Sequence, residues 1–158
     1  SNIFIAGNGG SASDSSHFAA ELTGKFKSKN RKPFKCIALI DSVTNITAIS
    51  NDFSYEEVFV KQLEALSRKG DLFIGLSTSG RSQNIIKSVK YCKNNEINSI
   101  VFLGKKNPFK LKADIIHKVS SDETARIQEI HYLILHLICE LLEVDYIKWS
   151  QHTLFDFN

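Results

Sequence analysis

The residues best suited to chemistry lie in two short turns and on two helical stretches. Gly7-Asn8-Gly9-Gly10-Ser11 follows the apolar run Ile3-Phe4-Ile5-Ala6 and leads into a helical stretch. A glycine-rich turn there exposes backbone N–H groups at the positive end of a helix, which suits an anion such as phosphate. A plain strand-to-helix turn is the alternative. The spacing is not GxGxxG, which disfavours a dinucleotide. Leu76-Ser77-Thr78-Ser79-Gly80-Arg81-Ser82 repeats the arrangement with four hydroxyls. Neutral hydroxyl and amide donors can hold a phosphate monoester without a Walker lysine, and the missing GxxxxGK[ST] disfavours nucleotide triphosphate hydrolysis. A serine-rich N-cap is the alternative. Two such turns after two strands, at the carboxyl edge where open α/β sheets bind ligands, favour phosphate.

His17 and Glu21 stand four apart on the first helical stretch and share one side. A histidine and a carboxylate at that spacing can share a metal ion or a proton-transfer task, or form a simple surface pair. Gln128, His131 and His136 sit in a later apolar helix. Eight residues turn a helix by ~800°, leaving Gln128 and His136 ~80° apart on one general side. On chemistry alone His131 is an equal candidate, and all three also read as core polar groups with partners. Asn51 and Asp52 end a short helix, where they could bind sugar hydroxyls or close an Asx turn. Lys105 and Lys106 read as solvated loop charges.

The elements that must position these residues alternate. Apolar runs at 2–6, 34–40, 71–76, 99–103 and 114–119 read as strands. The central ones are apolar on both faces, as parallel strands covered on both sides are. Helical stretches fall at 11–25, 43–50, 55–68, 81–94 and 124–143. Ser54 and Glu57 form a capping-box pattern ahead of the third, and Gly70 stops it. The alternation predicts an open α/β fold, a three-layer αβα sandwich. The last helix is apolar nearly all round, which predicts burial against other subunits. Trp149, Phe155 and Phe157 mark a C-terminal tail, either docked or a fragment of something longer.

Length and composition fit one domain. The chain has 158 residues, 42% of them hydrophobic and 23% charged, with a net charge of +3. That charge is too small to imply nucleic acid, and the densest basic run is Lys25, Lys27, Lys29, Arg31 and Lys32. No apolar run is long enough for a membrane span, which would take ~18 residues. Cys36, Cys92 and Cys139 are isolated and read as buried free thiols of a reducing, cytoplasmic protein. The chain has no methionine and opens almost directly into a strand, which implies an upstream segment.

The ordered set Gly7-Asn8-Gly9-Gly10-Ser11, His17 through Gly24, Asn51-Asp52-Phe53, Ser77 through Ser82, and Ala125-Arg126-Ile127-Gln128-Glu129-Ile130-His131 followed by His136 resembles the phosphoheptose isomerases. These are sugar-isomerase (SIS) domain proteins. The resemblance spans about 2–143. It implies a single SIS domain over 1–143, a tail of unknown role over 144–158, and a family N-terminal helix ahead of Ser1. It also implies a flavodoxin-like fold with a five-stranded parallel sheet, and a homotetramer with active sites between subunits. Ser77, Thr78, Ser79 and Ser82 would hold the phosphate. Asn8, Gly9, Gly10, Asn51 and Asp52 would contact the sugar, with Glu21 and Gln128 also touching substrate. Glu21 would be the catalytic base and His136 its acid/base partner, which singles out His136 over His131. The counterparts of His17, Glu21, Gln128 and His136 can bind zinc. No nucleotide is implied. Ala125 departs from members that carry aspartate there.

The reaction implied is an aldose–ketose isomerisation through an enediol, turning sedoheptulose 7-phosphate into D-glycero-D-manno-heptose 7-phosphate for lipopolysaccharide or capsule. Three rivals follow from the same fold. A non-catalytic SIS protein that binds a replication initiator would lack the glutamate and the final histidine, and both are present. A sugar-phosphate sensor would carry a fused DNA-binding segment, and none is visible. The third rival is isomerisation of a different phosphosugar.

Overall fold

Period-2 burial organises the sheet. Phe4, Phe73 and Val101 point into one core with Leu39, Phe59, Leu63, Ile85 and Val89. Their neighbours Ile5, Ile74 and Phe102 point into the other, with Phe18, Leu22, Leu135 and Cys139. Successive side chains of a strand face opposite sides, so a strand apolar at every position needs helices on both. The computed structural model describes residues 1–155, with side chains through residue 146.

The chain runs β1 (Ile3–Ala6), α1 (Gly10–Thr23), β2 (Cys36–Ala38), α2 (Val43–Asp52), a 3₁₀ turn (Tyr55–Glu57), α3 (Val60–Leu66), β3 (Leu72–Ser77), α4 (Gln83–Asn94), β4 (Asn98–Leu103), β5 (Ile115–Lys118) and α5 (Thr124–Phe155). All five strands are parallel, in the order β2-β1-β3-β4-β5. Ile3 pairs with Cys36 on one side and Leu72 on the other. The expected three-layer αβα sandwich with a five-stranded parallel sheet is therefore present. In this flavodoxin-like order the connections diverge between β1 and β3, and the crevice at that point, beyond the carboxyl ends of the strands, is where such sheets bind ligands. The two hydroxyl- and glycine-rich turns follow those two strands.

Two helices differ from the sequence reading. The third helix does not begin near Tyr55. The Ser54 hydroxyl makes no cap bond, and the Glu57 carboxylate pairs with Lys87 on α4, so no reciprocal box closes. A 3₁₀ turn forms there, and the α-helix starts at Val60. That helix ends at Leu66, where Ser67 is already extended, and Gly70 serves the turn into β3 at φ 84°. The fifth helix continues past Glu143 to Phe155, so part of the expected tail is helical. The side chains of Trp149 and Phe155, and all of Phe157, lie outside the described residues. Within the single chain α5 buries one face, and the burial expected against other subunits concerns the opposite face. Ile127, His131, Leu135, Cys139 and Glu143 face the core, while Leu133, Leu137 and Leu141 are 53%, 48% and 63% exposed.

The three cysteines are free and buried. Burial pushes each thiol up to about 12, so none is a ready nucleophile. Among the described residues, no helix is long and apolar enough to cross a membrane.

Candidate active site

The first lip of the crevice is the 7–10 turn. Gly9 adopts φ 58°, a left-handed conformation that glycine takes without steric cost. Gly10 is needed for a different reason: a Cβ there would stand 2.5 Å from Gln128 Nε2. The α5 glutamine therefore reaches over the start of α1 only because that position has no side chain. Asn8 is held in place on both atoms of its amide. Its Nδ2 donates to Asn84 Oδ1 at 3.0 Å, and its Oδ1 accepts from Asn84 Nδ2 at 2.9 Å and from Tyr55 Oη at 2.8 Å. Asn84 is buried on α4, so the two lips are locked together through this pair.

The second lip is the 78–82 turn. Gly80 N donates to Ser77 O and Arg81 N to Ser79 Oγ, which shapes the loop. Ser82 occupies the N-cap position of α4, yet its hydroxyl makes no cap bond. It lies 2.9 Å from Ser77 Oγ instead. The serine-rich cap alternative thus fits the position but not the bonding. Thr78 and Ser79 line a pocket of about 270 Å³ together with Arg81, Lys105 and Lys106. Both lysine side chains are exposed loop charges, as the sequence reading had them, and they also border this pocket. Each also stands within ion-pair distance of Asp122.

Beside the first lip, α1 and α5 bring the ionisable residues together. His17 Nε2 lies 3.2 Å from Glu21 Oε1 and 3.3 Å from His136 Nε2. One imidazole nitrogen facing two acceptor-capable atoms cannot satisfy both with a full hydrogen bond, because it carries at most one proton. The His17 and His136 rings are 5.4 Å apart between centroids, and Phe26 backs His136 at 5.6 Å. Tyr132, which the sequence reading missed, completes the cluster at 5.2 Å from His17 and 4.2 Å from His136. Burial pushes its phenol above the usual range, with Asp14 and Glu21 adding to the shift. Its signal was present in the sequence: Gln128, Tyr132 and His136 are spaced four apart, one stripe of a helix.

Asp14, one turn before His17, was also missed. Its Oδ2 is buried with no hydrogen-bond partner among the described residues, and burial raises its carboxyl above the usual range against the pull of His17. His131 has a different environment. It is fully buried, its Nε2 contacts Leu103 O at 3.2 Å, and it packs against Phe102. Burial lowers its pKa. It is a core residue of the helix–sheet contact, while His136 faces the cluster. Asn51 and Asp52 are exposed at the end of α2, and the bond between their side chains is the one they make among the described residues. Among the described residues, neither side chain hydrogen-bonds to Glu21 or to the 78–82 turn.

Among the described residues, no group of three or more His, Cys, Asp or Glu is arranged to hold a metal ion. The two spacings His17 makes, to Glu21 and to His136, nevertheless match those between neighbouring ligands of one ion. Two ligands of a tetrahedral zinc, each ~2.0–2.1 Å from it, stand ~3.3 Å apart. Gln128 could add an amide oxygen from the Gly10 side.

Comparison with known proteins fits this geometry. Residues 1–104 match the family described as the SIS domain. A phosphoheptose isomerase of Helicobacter pylori is 46% identical over 142 residues, covering 89% of this chain and 73% of that protein. One from Thermodesulfovibrio yellowstonii is also 46% identical over 142 residues, covering 89% and 70%. The solved phosphoheptose isomerase of Neisseria gonorrhoeae superposes with a TM-score of 0.83 at 39% identity, covering 90% of this chain and 76% of that one. On these matches over most of its length, this chain belongs to the SIS-domain family and, within it, to the phosphoheptose isomerases.

Proposed function

We propose that this isomerase converts sedoheptulose 7-phosphate into D-glycero-D-manno-heptose 7-phosphate, with the phosphate seated in the 78–82 turn and the C1–C2 unit of the open-chain sugar beside Glu21. The observation that carries the reading is the meeting of Glu21, His17 and His136 beside the 7–10 lip of the switch-point crevice, with the hydroxyl-rich turn on its other lip. A phosphate anchor at one end fixes the reacting carbons at the other, which converts encounter into a positioned, intramolecular step.

In this reading the Glu21 carboxylate takes a proton from C1 of the ketose. The C1–H electron pair becomes the C1=C2 bond, and the C2 carbonyl π pair moves to O2, which gains a proton. His136 carries the hydroxyl protons, delivering one to O2 and removing one from O1 as the C1 carbonyl forms. The proton held by Glu21 then returns to C2, giving the aldose. Each transfer needs a group within hydrogen-bond reach of the proton it moves, and carboxylate and imidazole are common carriers. Asn8, locked by Asn84 and Tyr55, with Gly9, Gly10, Asn51 and Asp52, would meet the sugar hydroxyls.

Zinc belongs to the proposal. His17, Glu21, Gln128 and His136 would hold it, and it would supply Lewis-acid polarisation of the substrate carbonyl. Glu21 has two oxygens, so one can serve the ion while the other remains a base.

The proposal extends to a cytoplasmic homotetramer with active sites between subunits, in a route to lipopolysaccharide or capsule heptose. Ile130, Leu133, Leu137, Leu141 and Val144 form an exposed apolar stripe along α5, the helix that also carries Gln128 and His136. A stripe at this spacing supports helix packing against another copy.

The test is turnover. The full-length protein is incubated with sedoheptulose 7-phosphate, with and without chelator and added zinc, and aldose is followed by NMR while sedimentation velocity reads the assembly. Glu21→Gln and His136→Ala should each abolish turnover, and chelation should reduce it. A folded protein that binds the sugar phosphate without turning it over would overturn the enzymatic reading in favour of a sensing SIS protein.

A further inference from the structure

The loop after β4 touches the phosphate turn at two places and the segment ahead of α5 at a third. Gly104 N donates to Thr78 O at 3.1 Å. Gly80, at φ 65°, comes so close that a Cβ there would stand 2.7 Å from Lys106 O. Lys105 N donates to Ser121 O at 3.2 Å, which ties the same loop to the segment ahead of α5. The backbone of Lys105 and Lys106 is thus pinned between two loops, while both side chains stay exposed. One carboxylate holds both ammonium groups: Asp122 Oδ2 lies 3.5 Å from Lys105 Nζ, and its Oδ1 lies 3.3 Å from Lys106 Nζ. The lysines, Lys106 foremost, keep the Asp122 carboxyl below the usual range. Arg81 lines the same pocket and makes no ion pair among the described residues.

The charges in this pocket are unbalanced. Lys105, Lys106 and Arg81 bring three positive charges, and Asp122 brings one negative charge. The excess of two matches a phosphate monoester, which carries about −1.5 to −2 at neutral pH. The hydroxyls of the 78–82 turn are neutral and supply direction, not charge. An ammonium ion is a mobile point charge on a flexible stem, so it can change partners without moving the backbone.

We propose that Lys105 and Lys106 are the cationic side of the phosphate subsite, leaving Asp122 for the phosphate dianion when substrate enters, and that Asp122 is the internal stand-in that holds them ready. This rests on the reading of the 78–82 turn as the phosphate site. It makes the subsite selective for a dianionic ester over a neutral sugar. It also gives substrate capture an electrostatic component that salt should screen.

The experiment compares steady-state turnover of sedoheptulose 7-phosphate by the full-length enzyme and three variants over a range of ionic strength. Lys105→Gln with Lys106→Gln should raise KM roughly tenfold, with kcat within about twofold, because two screened charge-assisted contacts common to ground and transition states are lost. The dependence of kcat/KM on salt should flatten in the same variant, and inorganic phosphate should become a weaker competitor. Asp122→Asn should act in the opposite direction and lower KM, since the competing carboxylate is gone. A purely structural role for Asp122 would raise KM or lower Tm instead, and would overturn the stand-in. An unchanged KM and salt dependence in the double lysine variant would overturn the proposal. Ser79→Ala separates the two levels: if it raises KM while the lysine variant does not, the lysine role alone fails. If neither variant moves KM, the phosphate is not bound here and both readings fall.

Discussion

Arg31 and Glu143 form an ion pair beneath the site, and its strength can be worked from its surroundings. Arg31 Nε donates to Glu143 Oε1 at 2.9 Å, with the two side chains 0% and 5% exposed. The carboxylate also accepts from the backbone N–H groups of Phe26, Lys27 and Ser28. The other guanidinium nitrogens donate to Leu22 O and Glu21 O, so the pair ties α5 to the end of the helix that carries Glu21. Glu143→Gln preserves the shape but leaves a buried guanidinium without a counter-charge and turns an amide toward three N–H donors. Removing one partner of such a pair costs about 3–5 kcal/mol. For a chain of this length each kcal/mol moves Tm by about 2–4 °C, so a loss of about 6–20 °C is expected at neutral pH.

The pH dependence sharpens the test. Burial alone would raise the Glu143 carboxyl, but the Arg31 bond and the three backbone N–H groups outweigh it and hold it below the ordinary value of 4.5. A depressed folded-state pKa gives stability that is complete above the unfolded value and lost as pH falls through the folded one. Urea unfolding followed by circular dichroism at fixed protein concentration should therefore show a wide gap between parent and variant at neutral pH. The gap should narrow below about pH 4. A neutral-pH gap under about 1 kcal/mol, the size of an exposed pair, would refute the reasoning. So would a gap that does not change with acid.

Two further outcomes test other parts of the structure. Gly10→Ala puts a Cβ 2.5 Å from the flexible end of Gln128, so the glutamine must move while the fold stays intact. Turnover should fall at least ~tenfold with stability within about 1 kcal/mol of the parent, read by NMR and by thermal melting. His131 has a folded-state pKa held below the unfolded 6.5 by burial, so the unfolded chain takes up a proton first as pH drops. Stability should be full above that value and decline below it, and His131→Gln should remove this part of the decline in melts between neutral pH and about pH 5.

The αβ alternation and the two turns were legible because they are local. Burial on both faces of a strand, glycine after a strand and hydroxyls before a helix each follow from a few neighbouring residues. The ordered motifs then identified the family and the pair His17–Glu21, which one helical turn brings together. Local pattern failed where a third element intervened: the Ser54–Glu57 box did not close because Lys87 on α4 takes the glutamate.

Helical spacing placed Gln128 and His136 on one side of α5, but it could not say which side meets the sheet. The family resemblance chose His136, and the packing of α5 on β4 gives the physical reason: His131 is core and His136 faces His17. Packing alone set Asn8 with Asn84, Arg31 with Glu143 112 residues away, and Lys105 and Lys106 beside Thr78. A sequence pattern records the faces an element can offer. Which faces meet depends on the path of the whole chain through the sheet, where burial satisfies all the elements together.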